Sequence, residues 1–236
     1  CGGTAGHVNP AVALARIFQE RNPGCRVLFV GADGGMENKL VPKEGYEIRS
    51  VTITNFHRSF APADIAHNLG TVRNMVRSKQ QAARILDEFQ PDLVVGTGGY
   101  ASYPVVKEAA RRHIPTAIPE SNAVPGLTTK GLSKVVDRVM VGFEESRSHY
   151  DHPEKVVVTG TPVRGDFFRY TRQEAREKLG LTDERPLLLS YWGSLGAEVM
   201  NRKMSEFIAR ECYDGAPFHH IHGAGREHGK ECLMTV

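Results

Sequence analysis

Short apolar runs alternate along the chain with longer segments in which apolar residues recur at helical spacing. The apolar, often β-branched runs predict strands at residues 26–30, 46–53, 92–95, 116–118, 137–141, 155–158 and 186–191. The segments between them predict helices at residues 10–20, 68–89, 103–112, 127–134, 173–179 and 197–210. This alternation is typical of an α/β protein with a parallel, doubly wound sheet, whose strands are covered on both faces.

Local signals predict where some of these helices begin and end. Asn9 followed by Pro10 predicts an N-cap and a proline at the first position of the first helix. Gly24 and Gly180 each follow a predicted helix and predict its end.

Composition narrows the class of protein. The chain has 236 residues, of which 40% are hydrophobic and 24% charged, so a packed core is expected. The mean hydropathy is −0.34 and no apolar run approaches the roughly 20 residues that span a bilayer, which argues against an integral membrane protein. The net charge of +3 does not by itself indicate a nucleic-acid partner. Four cysteines without a paired motif fit a reducing compartment.

The ends and the middle of the chain predict its organisation. A glycine loop begins directly after Cys1, although such loops normally follow a strand, and no signal-peptide pattern precedes it. We therefore expect a fragment that lacks the first strand and the C-terminal part of a longer protein. The segment at 159–164 predicts a boundary between two domains, residues 1–164 and residues 165–236.

Three glycine loops follow strands or precede helices, at residues 2–6, 96–99 and 193–196. Such loops bring backbone N–H groups and a helix N-terminus close to a ligand, which suits phosphate or diphosphate. Their spacing differs from the GxGxxG dinucleotide pattern. One such loop is equally well explained as a tight turn, but three at strand ends indicate a ligand edge of the sheet.

Three polar residues lie next to these loops or strand ends. His7 follows the first loop and is either a general base or a capping and phosphate-contacting residue. Asn122 precedes a proline–glycine turn and either caps it or bonds a sugar hydroxyl. Arg164 lies at the predicted domain boundary, where it either binds a diphosphate or makes a surface ion pair.

Histidines near the C-terminus raise the question of a metal site. His219, His220, His222 and His228 lie in one segment, but no paired ligand motif has zinc spacing. We expect no metal there.

A basic stripe lies on the long predicted helix. Arg73, Arg77 and Arg84 share one face, and Phe56 and Phe60 precede it. The stripe is either a solvated helix face or a surface that rests on anionic lipid.

Five segments in order carry a resemblance over essentially the whole chain. They are Gly-Gly-Thr-Ala-Gly-His (2–7), Gly-Thr-Gly-Gly-Tyr (96–100), Glu-Ser-Asn-Ala-Val-Pro-Gly-Leu (120–127), Gly-Thr-Pro-Val-Arg (160–164) and Gly-Ser-Leu-Gly-Ala (193–197). With these segments the chain resembles the MurG family of bacterial glycosyltransferases. That family adds N-acetylglucosamine to a lipid-linked muramyl-pentapeptide during peptidoglycan synthesis.

The resemblance implies the GT-B architecture, with two Rossmann-like doubly wound parallel-sheet domains, the second truncated. It implies that residues 1–164 form the acceptor domain and residues 165–236 the first half of the UDP-sugar donor domain. The implied reaction moves N-acetylglucosamine from UDP-N-acetylglucosamine to the 4-hydroxyl of undecaprenyl-diphosphate-N-acetylmuramyl-pentapeptide, with inversion. The implied location is peripheral, on the cytoplasmic face of the bacterial membrane. Anionic lipid and other cell-wall synthesis proteins are implied partners, nucleic acid is not, and no cofactor is obligatory, although a divalent cation is allowed.

The resemblance also implies roles for single residues. His7 would be the catalytic base. The donor would contact Thr4, Ala5, Gly6, Asn122, Arg164 and Ser194. The acceptor diphosphate would contact Gly2, Gly3, Gly98, Gly99 and Tyr100.

Several positions depart from the family pattern, and two other functions stay open. Ala5 and Tyr103 stand where the family usually has glycine, and Ser121 stands where it usually has glutamine. In the third loop, Trp192 and Leu195 replace the usual glycine and glutamine. One alternative is another two-Rossmann UDP-sugar glycosyltransferase with a different acceptor. The other is a non-catalytic acceptor-binding module, because we expect this 236-residue chain by itself to transfer no sugar.

Overall fold

The structure is a computed structural model, and it describes residues 1–53, 62–163, 165–193 and 196–225. The chain divides into two compact units, Cys1–Phe167 and Phe168–Val236.

The described residues of the first unit contain six strands, all paired in parallel. They are β1 (Leu28–Ala32), β2 (Glu47–Val51), β3 (Val94–Val95), β4 (Thr116–Glu120), β5 (Arg138–Val141) and β6 (Val156–Val158). One sheet pairs β1 with β2, and a second has the order β3-β4-β5-β6. Helices connect successive strands, so the predicted α/β class with parallel sheets is confirmed.

Five α-helices lie in the part of the first unit that the structure describes. They are α1 (Ala5–Arg21), α2 (Glu37–Lys43), α3 (Pro62–Phe89), α4 (Ser102–Arg111) and α5 (Leu127–Ser133). Short 3-10 turns lie at Glu144–His149, Pro153–Lys155 and Gly165–Phe168. The helix α2, whose seven residues include Pro42, was not predicted from the sequence.

The predicted start of the first helix is wrong. The N-cap is Thr4, in an extended conformation, and Pro10 lies inside α1 rather than at its first position. A proline there removes one backbone hydrogen bond, but the helix continues because Val8 and Val12 are buried against the core. As a result His7 lies in the first turn of α1 instead of in the loop.

The core of the first unit is built on both sides of α4. On one side Val106 packs with Ile118 of β4 and Val139 of β5. On the other side Val105 and its neighbours pack with residues of α3 and β2. A helix that is apolar on two faces can pack between two layers of the fold. The packing of α4 thereby holds the ends of β3 and β4 in place.

A cavity of about 650 Å³ lies between β1 and β3. Its lining is largely apolar and includes Val30, Leu86 and Val95. At its edge the backbone nitrogen of Cys1 donates a 2.9 Å hydrogen bond to the carbonyl of Val30. An apolar interior of this kind does not suit a diphosphate, so we place the candidate site at the glycine loops instead.

The second unit is a β-α-β arrangement preceded by a short helix. Its elements are α6 (Arg172–Lys178), β7 (Leu187–Tyr191), α7 (Glu198–Tyr213) and β8 (His219–Gly223). Thr171 and Glu174 form a capping box at the start of α6. The strands β7 and β8 pair in parallel, from Leu187 opposite His219 to Tyr191 opposite Gly223.

Within the described residues, no helix has both the length and the apolar composition that crossing a membrane requires.

Candidate functional site

The first two glycine loops touch each other. A methyl group placed on Gly99 would collide with the backbone carbonyl of Gly2. Gly3, Gly98 and Gly99 also have positive φ angles of 84°, 99° and 78°. Both the close approach and the left-handed backbone require residues without a Cβ atom. The glycines of the two loops are therefore needed to bring the start of α1 against the end of β3.

His7 lies where these loops meet. Its Nδ1 is 2.8 Å from the carbonyl oxygen of Gly2 and 3.3 Å from the hydroxyl oxygen of Thr4. A carbonyl only accepts, so Nδ1 carries a proton, and in the neutral ring Nε2 then carries a lone pair. That lone pair is what a general base needs.

The second loop fixes His7 from the other side. The Thr97 hydroxyl donates a 2.8 Å hydrogen bond to the backbone carbonyl of His7. The ring itself packs on Gly98, where an added Cβ atom would lie 2.8 Å from Nε2. The imidazole is thus positioned by bonds at Nδ1 and at its backbone and by contact on its face.

The start of α1 beside His7 is suited to an anion. The first amides of a helix lack intrahelical partners and carry a partial positive charge. Thr4 makes no side-chain cap bond to them, and Gly3, Thr4 and Gly6 are exposed. These exposed backbone groups are of the kind that binds phosphate groups, and they lie next to the imidazole.

Asn122 is held by a buried carboxylate. Glu120, at the end of β4, accepts hydrogen bonds from the backbone and side-chain nitrogens of Asn122, at 3.0 and 2.7 Å. It also accepts from the Gly126 nitrogen and the Thr129 hydroxyl. Burial raises the pKa of Glu120, but these hydrogen bonds outweigh it and leave the pKa below its ordinary value. Glu120 therefore stays ionised and fixes the turn that carries Asn122.

The carboxyl ends of β3, β4, β5 and β6 lie along one edge of the sheet. The second glycine loop follows β3, and Asn122 follows β4. Gly142, after β5, approaches the Thr161 hydroxyl, since an added Cβ atom would lie 3.4 Å from it. This is the edge at which open α/β sheets bind ligands.

The structure brings together most of the predicted site residues of the first unit. Those at the meeting of the two loops are Gly2, Gly3, Thr4, Ala5, Gly6, His7, Gly98 and Gly99. Tyr100 follows them and is exposed. Asn122 lies on the same sheet edge, whereas Arg164 and Ser194 lie outside the described residues.

The third glycine loop belongs to the second unit. A Cβ atom on Gly196 would collide with the carbonyl of Ala224, just after β8. Asn201 donates a 2.7 Å hydrogen bond to the same carbonyl, and its side-chain oxygen lies 3.2 Å from Nε2 of His222. The loop is thus fixed against the end of β8.

Two of the C-terminal histidines belong to a hydrogen-bonded network. The Ser190 hydroxyl lies 2.8 Å from Nε2 of His220 and 2.8 Å from Nδ1 of His222. Nδ1 of His220 lies 2.8 Å from a carboxylate oxygen of buried Glu211. These contacts join β7, β8 and α7, and sequence reasoning missed the parts of Ser190 and Glu211.

The other two C-terminal histidines, His219 and His228, bear on whether this segment binds a metal ion. His219 bonds the carboxylate of Asp183 at 2.7 Å, and His228 lies outside the described residues. Over residues 1–53, 62–163, 165–193 and 196–225, no group of three or more His, Cys, Asp and Glu side chains is arranged to hold a metal ion.

Sequence reasoning also missed Glu37, at the start of α2. Its side chain is fully buried and accepts hydrogen bonds from the backbone nitrogens of Gly3 and Ala32, at 3.1 and 2.7 Å. A Cβ atom at Gly2, Gly31 or Gly35 would collide with the Glu37 side chain. The glycines at 31, 34 and 35 were the available sequence signal.

Comparison with known proteins identifies the family. Residues 1–141 match the family model described as "Glycosyltransferase family 28 N-terminal domain". The chain belongs to glycosyltransferase family 28. The match covers both glycine loops of the first unit, His7 and Asn122.

Curated relatives carry the name "UDP-N-acetylglucosamine--N-acetylmuramyl-(pentapeptide) pyrophosphoryl-undecaprenol N-acetylglucosamine transferase". The Acetivibrio thermocellus protein is 40% identical over 213 residues, which is 90% of this chain and 57% of that protein. The Clostridioides difficile protein is 38% identical over 237 residues, 100% of this chain and 56% of that protein. The chain thus spans just over half the length of these two relatives, and its resemblance to the MurG family is confirmed.

Solved structures agree on the fold. The crystal structure of Acinetobacter baumannii MurG matches with a TM-score of 0.65 at 25% identity, covering 99% of this chain and 60% of that one. A UDP-GlcNAc 2-epimerase from Methanocaldococcus jannaschii matches with a TM-score of 0.58 at 12% identity, covering 99% of this chain and 67% of that one. The second likeness concerns the fold alone. The predicted fold class is that of these proteins.

Proposed function

We propose that the full-length protein is a hexosyltransferase that moves N-acetylglucosamine from UDP-N-acetylglucosamine to the 4-hydroxyl of undecaprenyl-diphosphate-N-acetylmuramyl-pentapeptide. The product is the lipid-linked disaccharide of peptidoglycan synthesis, lipid II, formed from lipid I. The observation that carries the proposal is His7, held with its Nε2 lone pair beside the anion-suited start of α1. The names of the curated relatives support the choice of donor and acceptor.

His7 acts as the base in this reaction. Its Nε2 takes the proton of the muramyl 4-hydroxyl while that oxygen attacks the anomeric carbon of the donor sugar. The bond from this carbon to the UDP diphosphate breaks at the same time, with its electron pair leaving on UDP. Attack from the face opposite the leaving group inverts the anomeric centre.

Backbone amides stabilise the charge that develops on the leaving diphosphate. The first turn of α1, at Thr4, Ala5 and Gly6, offers fixed N–H groups that need little reorganisation in the transition state. Arg164 and Ser194 are further donor-binding residues in this proposal. No metal ion is required for this stabilisation, although a divalent cation is compatible with it.

The acceptor and the donor sugar bind at neighbouring parts of the sheet edge. Gly2, Gly3, Gly98, Gly99 and Tyr100 bind the acceptor diphosphate. Asn122, positioned by Glu120, contacts the donor sugar: its nitrogen is bonded to the carboxylate, and its amide oxygen can accept from a sugar hydroxyl.

Residues 1–164 serve as the acceptor domain and residues 165–236 as part of the donor domain in this proposal. The acceptor is anchored in lipid, so the protein works as a peripheral enzyme at the cytoplasmic face of the bacterial membrane. On α3, Met75, Val76 and Arg77 are exposed together, which suits contact with anionic lipid. Phe56, Phe60 and the side chain of Arg73 lie outside the described residues.

The test is a transfer assay with the full-length protein, UDP-N-acetylglucosamine labelled in the sugar, and a lipid-linked muramyl-pentapeptide. We expect label in a lipid-linked disaccharide whose new bond has the inverted configuration. Transfer to other acceptors but not to this one would instead favour a different UDP-sugar glycosyltransferase. Acceptor binding without any turnover would favour a binding module.

A further inference from the structure

We propose that Glu37 is a positioning residue that orients and polarises His7 through the peptide group joining Gly2 to Gly3. The proposal rests on the proposed function in one respect, because its catalytic consequence requires His7 to act as the base. The orientation and polarisation themselves are properties of the folded chain.

One peptide group connects the carboxylate to the imidazole. Its N–H, from Gly3, donates to Oε2 of Glu37 at 3.1 Å. Its carbonyl oxygen, from Gly2, accepts from Nδ1 of His7 at 2.8 Å. The order is therefore carboxylate, peptide and imidazole, with one hydrogen bond at each junction.

The surroundings of Glu37 are built to hold a carboxylate. The side chain is fully buried, and its other oxygen accepts a 2.7 Å hydrogen bond from the nitrogen of Ala32. Side chains are absent at Gly2, Gly31 and Gly35, where a Cβ atom would collide with Glu37. No Lys or Arg side chain pairs with Glu37 in the described parts of the chain. A buried carboxylate held mainly by peptide N–H groups is costly, which indicates a use for its charge.

The charge acts on His7 by polarising the intervening peptide. A negative charge on the N–H side makes the Gly2 carbonyl a stronger acceptor, because hydrogen bonds in a chain reinforce one another. The stronger acceptor holds the proton on Nδ1 and makes Nε2 more basic, as a carboxylate bonded directly to a histidine does. It also holds the ring against the competing Thr4 hydroxyl at 3.3 Å.

The effect of Glu37 on His7 must be distinguished from the effects of other titratable groups near these hydrogen bonds. Thr4, Thr97 and Gly98 contact His7 and carry no charge. The α-amino group of Cys1 attracts Glu37 electrostatically, and burial lowers the pKa of that amine to about 6, within the usual range of imidazole. The test therefore uses a full-length chain extended before Cys1, in which this nitrogen is an amide.

The test follows the ring nitrogens of His7 by ¹⁵N NMR during a pH titration, in the wild type and in Glu37→Gln. We expect the wild type to hold the neutral ring as the Nδ1–H tautomer. Loss of the charge in Glu37→Gln should weaken the hydrogen bond from Nδ1 to the Gly2 carbonyl and move part of the neutral ring to the Nε2–H tautomer. As a result kcat should fall about 10-fold or more with little change in donor KM.

Glu211→Gln is the matched control, because it neutralises another buried carboxylate that bonds a different histidine. It should leave the tautomer of His7 unchanged. An unchanged tautomer of His7 in a folded Glu37→Gln protein would overturn the proposal.

A measurement on the wild type covers the case in which Glu37→Gln does not fold. In a pH titration of the wild type, the Gly3 amide proton and the His7 Nδ1 proton should shift together, because one peptide group joins their hydrogen bonds. Movement of the Gly3 signal without movement of the His7 signal would overturn the proposal. Full activity in His7→Ala would show that His7 is not the base, but it would not affect the coupling between Glu37 and His7 measured in the wild type. Failure of the proposed function is therefore distinguishable from failure of this proposal.

Discussion

The imidazole ring of His7 lies against Gly98, where an added Cβ atom would lie 2.6 Å from Cδ2 of the ring. These two residues are far apart in sequence: His7 lies in the first turn of α1, and Gly98 lies in the second glycine loop. The second glycine loop therefore bounds one side of the space that the imidazole ring occupies. It follows that the size of residue 98 controls the position of His7.

Replacing Gly98 with alanine should therefore displace the ring. In the full-length protein we expect Gly98→Ala to lower kcat about 10- to 100-fold, since a small displacement of a catalytic group has effects of this size. Its φ of 99° adds a conformational cost of roughly 1–2 kcal/mol. Gly45→Ala is the control, because φ is 85° there and an added Cβ atom meets nothing within 4 Å. Equal values of kcat in the two variants would show that the contact with His7 is unimportant.

Glu108 links α4 to arginines and should make stability depend on pH. It is buried and bonds Arg111 and Arg112, and Arg112 also bonds Asp87 on α3. The hydrogen bond from Arg111 contributes most to lowering the pKa of Glu108 to about 2, against the opposing effect of burial. Because the folded-state pKa lies below the unfolded one, the carboxylate stabilises the fold above about pH 4.5, and this stabilisation is lost as the pH falls toward 2.

Glu108→Gln should accordingly lower the free energy of unfolding by about 1–2 kcal/mol at pH 7, since partly exposed arginines weaken the ion pairs. The difference from wild type should narrow at pH 3. Urea unfolding at the two pH values measures it. A difference that is the same at both would contradict the assigned role of the carboxylate.

Tyr150 is buried, and its hydroxyl has no hydrogen-bond partner in the described part of the chain. Burial, and secondly the charge of Glu120, raises the pKa of Tyr150 to about 12. Removing an unpaired buried hydroxyl should be neutral or stabilising by up to about 1 kcal/mol, so Tyr150→Phe should unfold no earlier than wild type. Thermal unfolding tests this, and clear destabilisation would reveal a missing partner. In absorbance titrations, the phenolate signal lost in Tyr150→Phe should appear near pH 12.

Binding to anionic lipid should depend on the salt concentration and on the basic stripe of α3, which consists of Arg73, Arg77 and Arg84. The full-length protein should sediment with vesicles that contain anionic phospholipid, and less so as salt rises. Arg77→Gln and Arg84→Gln should each weaken binding about 5-fold, and Phe56→Ser with Phe60→Ser should weaken it further. Arg202→Gln, at an exposed position on α7, is the control. Binding that is absent or independent of salt would contradict membrane docking through this face.

The sequence predicted the strands β1 to β7 and most of the helices because their apolar periodicity is strong. The parallel strand at Thr116–Glu120, for example, is a short apolar run whose Ile118 is fully buried. The start of α1 was misplaced because Asn9 and Pro10 match a helix-start pattern that burial of Val8 overrides. The helix at Glu37–Lys43 was missed because adjacent glycines and Pro42 resemble a loop.

The candidate site was predictable in its residue types but not in its contacts. Glycine loops at strand ends predicted a ligand edge of the sheet, and His7 was singled out because it follows one of them. The packing of His7 on Gly98, its bond to Gly2 and the approach of Glu37 to Gly3 depend on chain segments that meet only in the fold. Local sequence patterns carry no information on such distant contacts.

Steady-state kinetics of full-length His7→Ala and His7→Gln, with donor varied at saturating lipid-linked acceptor, test the central claim most directly. If Nε2 of His7 removes the proton from the acceptor hydroxyl, both variants should lose about 10²- to 10⁴-fold in kcat with nearly unchanged donor KM. Arg164→Ala provides the contrast, because losing a diphosphate contact should raise donor KM and also lower kcat, about 30- to 1,000-fold. A glutamine amide can donate a hydrogen bond but cannot act as a base. Near-wild-type kcat in His7→Gln would contradict the claim and leave His7 as a group that only positions phosphate.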